Sequence, residues 1–264
     1  MPQYRRPPSA AVLLAPVAAA AASALAAAPS AALAAPDEIE VYRGEHQAPG
    51  GFGLELHNNY VVEGDDRPDH PGAQPSGGAY RLTPELAYGL TPNLEMGVLA
   101  LATVDSRGRP AVGGLKARVR FVQSPEGRSW WWGANFEVGR SGRRFEASPW
   151  TAELRAIYGF EAGRWSLALN PILEWEWRGD APASLELAAK LAYRLRQGLA
   201  LGLESYNDLG PVRSPGRLGE ASQMLYAAAD VDLGRMGLNL GLGRGLTSRS
   251  DGWVVKAVID LPLR

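Results

Sequence analysis

Carboxylates, basic side chains and one histidine recur at every second position through most of this chain. Glu55 and His57 stand two apart, as do Lys116, Arg118 and Arg120, then Glu153 and Arg155, and Glu174 and Glu176. Glu85, Glu95, Glu137, Glu186, Lys190 and Glu204 hold the equivalent parity in their own segments. Alternate residues of a strand share a face, so each group marks one charged face. A zinc centre needs three or four convergent ligands at close spacing. The three histidines, His46, His57 and His70, fall in separate segments, and cysteine is absent. No G-x-S-x-G elbow and no P-loop occurs, and the glycine-rich "GLNLGLGRGL" reads as a strand with small side chains. No catalytic residue, cofactor or metal is therefore expected. The charged faces read as the wall of a hydrated lumen and a transport pathway through it.

Twelve alternating segments must position those faces: 51–62, 79–90, 94–102, 113–123, 129–139, 150–160, 164–177, 184–195, 199–207, 223–233, 236–246 and 252–263. Most exceed the five or six residues usual in soluble strands and match the ~9–11 that a tilted strand needs to cross a bilayer. Short connections at 91–93, 123–128, 161–163, 197–198 and 234–235 alternate with longer polar ones at 63–78, 103–112, 140–149 and 208–222. Transmembrane barrels sort their turns this way, tight on the periplasmic side and longer outside. An even strand count puts both termini in the periplasm.

The opposite parity decides between a soluble core and lipid. Trp150 opens and Tyr158 nearly closes one segment, Trp165 opens and Trp175 and Trp177 close the next, and Trp130, Trp132, Tyr193 and Trp253 hold similar ends. Amphipathic rings at both ends of an aliphatic stripe form the interfacial girdle of an outer-membrane barrel. The expected fold is all-β: a single antiparallel transmembrane barrel of about twelve strands. Hairpin registers set Lys116 opposite Glu137, Arg118 opposite Asn135 and Lys190 opposite Glu204. Glu174, Glu176 and Glu186 crowd one mouth without an evident partner, as a solvated wall or a cation-attracting vestibule. Pro171 predicts a bulge. Leu99 and Leu101, on lumen parity, predict either a register slip or an apolar patch inside.

The near-neutral charge (27 Lys plus Arg against 28 Asp plus Glu) gives no support for a nucleic-acid partner. Arg5 and Arg6 precede an alanine-rich run ending Ala32-Leu33-Ala34, which predicts an export signal over residues 1–34. Residues 35–50 read as a polar periplasmic leader, and 51–264 as the barrel. No later segment approaches the ~20 apolar residues of a membrane helix.

The stretches "GFGLELHNNY", "PELAYGLTPNLEMGV", "LNPILEWEW", "LESYNDLG" and "GRGLTSRSDGWVVKAVIDL" resemble Gram-negative outer-membrane β-barrels, in particular the transporter-like proteins of the MetA-pathway of phenol degradation type. The chain departs from many bacterial barrels in ending "DLPLR" rather than on an aromatic residue. The resemblance implies an outer-membrane location, passive uptake of a small solute, and contact with lipid, lipopolysaccharide and the barrel-assembly machinery. It brings no functional residues with it. A non-conducting structural or surface-interaction barrel is the alternative. An outer-membrane lipid hydrolase ranks last, because it keeps Ser and His facing lipid whereas His57 and Ser166 have lumen parity. The acidic loop "EGDDRPDHPG" could hold a divalent cation shared with lipopolysaccharide, or be an ordinary solvated loop.

Overall fold

The computed structural model describes residues 38–124, 127–177, 182–215 and 221–263; the expected signal segment lies outside them. Twelve strands follow in order: β1 (Phe52–Glu63), β2 (Tyr80–Thr91), β3 (Leu94–Val104), β4 (Pro110–Gln123), β5 (Trp130–Ser141), β6 (Trp150–Ala162), β7 (Trp165–Glu176), β8 (Ser184–Arg196), β9 (Leu199–Pro211), β10 (Gln223–Asp232), β11 (Gly237–Gly245) and β12 (Trp253–Leu263). Each pairs antiparallel with its sequence neighbours, and β1 pairs with β12 from Phe52↔Leu263 to Glu63↔Trp253, closing the barrel. Closure leaves no sheet edge, which hydrocarbon cannot tolerate. No described helix is long and apolar enough to cross a membrane.

The tight turns follow from local chemistry. Ala162↔Trp165 and Arg196↔Leu199 close two-residue loops. Their Gly163 (φ 63°) and Gly198 (φ 71°) take the left-handed backbone such hairpins require. At the other end, Asp105 organises the β3–β4 loop by accepting the amides of Arg107 and Arg109 and the Arg109 guanidinium.

The outward face is the apolar one. Trp130, Trp132, Trp150, Tyr158, Trp165, Trp177 and Trp253 are 40–56% exposed, near the strand ends, with Met96, Val98, Leu154, Leu203 and Leu240 exposed between the rims. So continuous an apolar surface is far larger than soluble proteins carry, and it matches a lipid-facing band.

Three local readings change. Across β4–β5 the register puts Arg118 opposite Glu137, Arg120 opposite Asn135 and Lys116 opposite Gly139, two residues from expectation. Trp130 and Trp131 overrun β4 and pair only with β6, and a shift of two leaves every side chain on its face. Lys116 still reaches Glu137 diagonally, at 3.2 Å. Pro171 makes no bulge: β6–β7 pairing skips from Arg155↔Ile172 to Tyr158↔Leu169 and resumes in the same register. The missing proline amide therefore interrupts the ladder without displacing it. Leu99 and Leu101 are buried inside as an apolar patch, and a register shift follows Leu101.

Candidate functional site

The strands place charged side chains inward from every side, and a short segment occupies the space they enclose. Residues 38–49, expected as a polar periplasmic leader, run through the lumen instead. Ile39, Val41 and Tyr42 are at most 3% exposed. Ile39 packs on Val61, Tyr226 and Val254; Val41 on Ala168, Ile172 and Ala188; Tyr42 on Val122, Ile157 and Trp131. The segment leaves at the short-turn end, where Gly50 N donates to Gly89 O (2.8 Å) and His46 Nε2 lies 2.6 Å from Pro92 O.

Wall side chains hold the backbone of this plug. Asn170 uses both amide atoms: Tyr42 N donates to its Oδ1 (2.6 Å), and its Nδ2 donates to Tyr42 O (3.0 Å). Lys256 Nζ donates to Ile39 O (2.8 Å), Arg155 Nη1 to Glu40 O (3.2 Å), and Gln47 N to Glu95 Oε2 (2.6 Å).

Two charge clusters organise those contacts. Around Tyr42, the guanidiniums of Arg155, Arg120 and Arg118 lie 4.3, 5.1 and 5.8 Å from the ring centroid. Glu95 accepts from Arg118 (2.8 Å) and Arg120 (2.7 Å), Arg118 also pairs with Glu85, and Arg155 with Glu153 (2.9 Å). On the opposite wall Glu204 binds Lys256 and Lys190 (3.0 Å to Lys190), and Lys190 reaches Asp230 (2.6 Å). Every cation here is matched, as burial of charge requires.

The plug lies between two cavities, and Glu40 lines both. Toward the long loops a cavity of about 180 Å³ is bordered by Glu137, Glu153, Glu174, Glu186 and Asp208, with Arg81, Lys116 and Arg155 as cations. Cross-strand pairing sets Glu137 against Glu153, Glu153 against Glu174, and Glu186 against Asp208. Carboxylates directly opposite each other repel, so this arc attracts cations. Toward the short turns a cavity of about 430 Å³ mixes signs, with Arg43, Arg164, Arg194 and Arg196 facing Glu55, Glu161, Asp230 and Asp260.

The anticipated pathway residues divide accordingly. Glu85, Glu95, Arg118, Lys190 and Glu204 are buried behind the plug. Lys116, Glu137, Glu153, Arg155, Glu174 and Glu186 border the outer cavity, and Glu55 and Arg120 the inner one. His57 is fully buried beside Glu55, at 2.9 Å. Glu176 sits at the rim opposite Thr151 and lines neither cavity. Ser166 borders the inner cavity. Sequence reasoning missed Ile39, Val41, Tyr42 and the part played by Asn170 and Lys256. The one available signal was the alternation in "EIEVY" at 38–42.

A closed twelve-strand antiparallel barrel, apolar outside and charged within, has solved counterparts. An outer-membrane channel of Pseudomonas putida F1 superimposes with a TM-score of 0.59 at 15% identity, covering 86% of this chain and all of that one. The KdgM porin, solved in complex with disordered oligogalacturonate, gives 0.55 at 6% identity, over 80% of this chain and 99% of its own. The NanC porin gives 0.53 at 7%, with the same coverage. The fold is that of outer-membrane barrels. No protein-family model matches the chain, and no curated protein does.

Proposed function

We propose that this protein is an outer-membrane channel through which small solutes pass passively, with segment 38–49 as its movable plug. The observation that carries this reading is the plug itself. A wall of charged side chains encloses two solvent cavities, and one short segment lies between them. Twelve strands stand between barrels filled by their own side chains and the 16-strand porins, so one extended segment is enough to obstruct the passage.

The plug is held by a small margin. Burial of Ile39, Val41 and Tyr42 contributes about 5–9 kcal/mol, and the five backbone hydrogen bonds to the wall about 3–7 kcal/mol. Ordering its twelve residues costs about 12–24 kcal/mol. These opposing terms are of one size, so displacement is within thermal reach. Cleavage after Ala34 leaves an end free to withdraw toward the periplasm. The structural counterparts are named as a channel and porins, which supports passive passage. The resemblance to the MetA-pathway of phenol degradation type points the same way. Outer-membrane residence, contact with lipopolysaccharide and assembly machinery, and absence of catalysis belong to this reading.

The dense hydrogen bonding of the plug favours a second reading, a permanently closed scaffold. Planar-bilayer recording separates them. Deletion of residues 38–47 is expected to raise unitary conductance well above that of the intact chain. A deleted barrel that still shows heat-modifiable migration on unboiled gels, yet stays silent, leaves the scaffold.

A further inference from the structure

His57 is fully buried, and carboxylates reach it from two directions. Ligand atoms of Glu40, Glu55 and His57 lie within 4.8 Å of one another, and those of Glu38, His57 and Glu85 form a second such group. Glu38 and Glu40 belong to the plug, Glu55 and His57 to β1, and Glu85 to β2. His57 Nδ1 has no hydrogen-bond partner, whereas Nε2 lies 2.9 Å from Glu55 Oε1. A completely buried imidazole nitrogen left without a partner, as Nδ1 is, is rare, because an orphaned group costs about 1–3 kcal/mol. Among the described residues, Arg118 pairs with Glu85, Arg120 with Glu95 and Arg155 with Glu153. Glu55 meets His57, and Glu38 accepts the Tyr42 hydroxyl at 3.2 Å.

We propose that His57, Glu55 and Glu40 bind one divalent first-row transition-metal ion of the Zn²⁺ class, which staples the plug to the barrel wall. One imidazole with two carboxylates is a donor set suited to Zn²⁺ or Mn²⁺ rather than to the all-oxygen cages of Ca²⁺ and Mg²⁺. Bonds of about 2.1 Å in a tetrahedral site place ligand atoms about 3.4 Å apart, and the ligand atoms here already lie within 4.8 Å of one another. The group with Glu38 and Glu85 is the weaker site, since Arg118 already donates to Glu85. Glu40 comes from the plug and the other two ligands from the wall, so the ion joins the two parts at mid-lumen. Binding to this joined state stabilises it by mass action.

The test is Zn²⁺ titration of the refolded mature chain in detergent, read by calorimetry and by metal content after dialysis. One Zn²⁺ per barrel is expected. His57→Gln and Glu40→Gln are each expected to weaken binding at least about tenfold, the lower end of what loss of even an outer partner of a ligand costs. Glu40→Gln lies in the plug and leaves the barrel strands untouched, so the test survives a folding defect in His57→Gln. Asp65→Asn with Asp66→Asn, in the acidic outer loop, is expected to leave binding unchanged. Absence of stoichiometric Zn²⁺, or binding lost in the loop variant and kept in Glu40→Gln, overturns the site and leaves protons to balance the cluster. Neither readout passes through conductance, so the site and the channel stand or fall separately.

Discussion

Asn170 holds the plug backbone at Tyr42 with a donor and an acceptor at once, which no apolar side chain at that position can do. Each such bond contributes about 0.5–1.5 kcal/mol net. Asn170→Ala is expected to shift the plug toward its displaced state by about 5- to 100-fold, read as open probability in single-channel records. An unchanged open probability would separate plug from gating. A second residue-scale prediction concerns Asp105. The Arg109 side-chain hydrogen bond, with the backbone amides of Arg109 and Arg107, lowers its carboxyl to about 2, below the usual 3.8. Because the folded value is depressed, the stabilisation is complete above the usual value and is lost as pH falls through about 2. The β3–β4 loop is expected to keep its structure at pH 4. A carboxyl-carbon NMR titration with its midpoint near 4 would remove the cap. Alternation showed which charged residues face inward, but not which of them touch the plug: Lys256 and Asn170 looked like ordinary wall positions.

At the scale of elements, β5 and β6 bring Trp131 and Gly159 into contact. A Cβ at Gly159 would lie 1.8 Å from Trp131 Cζ2, and the same indole is 3.1 Å from where a Cβ of Gly44 in the plug would stand. The glycine thus makes the space in which the indole packs beside the plug. Gly159→Leu must displace the ring, at a cost of about 1–3 kcal/mol for overpacking. Since the chain has no cysteine, Val41→Cys reports plug exposure cleanly. Its labelling by a water-soluble thiol reagent is expected to quicken at least about fivefold in the Gly159→Leu background, the lower end of that energy. Equal rates would show that the indole does not brace the plug. Strand spans were legible here to within a few residues, because pleating forces period two on any strand with unlike faces. The β4–β5 register was not, since a slip of two preserves every face and the sequence carries no mark against it.

For the molecule as a whole, the acidic arc from Glu137 to Asp208 sets the field at the long-loop mouth. Charges lining a narrow, low-dielectric cleft concentrate counter-ions. Glu174→Gln with Glu186→Gln is expected to lower the cation-to-anion permeability ratio by about twofold or more, measured as the reversal potential across a salt gradient. A ratio that does not move would assign selectivity to the plug or the inner cavity. The sequence by itself determined the barrel: strand length, sorted loops, aromatic rims and a charged inner face all follow from local periodicity against a fixed bilayer thickness. Only the tertiary structure decided that residues 38–49 turn back into the lumen, and that Glu40 meets Glu55 and His57 there. Those contacts join one short segment to walls separated from it by up to about two hundred residues of chain (Ile39 to Lys256 is 217). Closure of the barrel, which no local pattern encodes, is what brings them to one place.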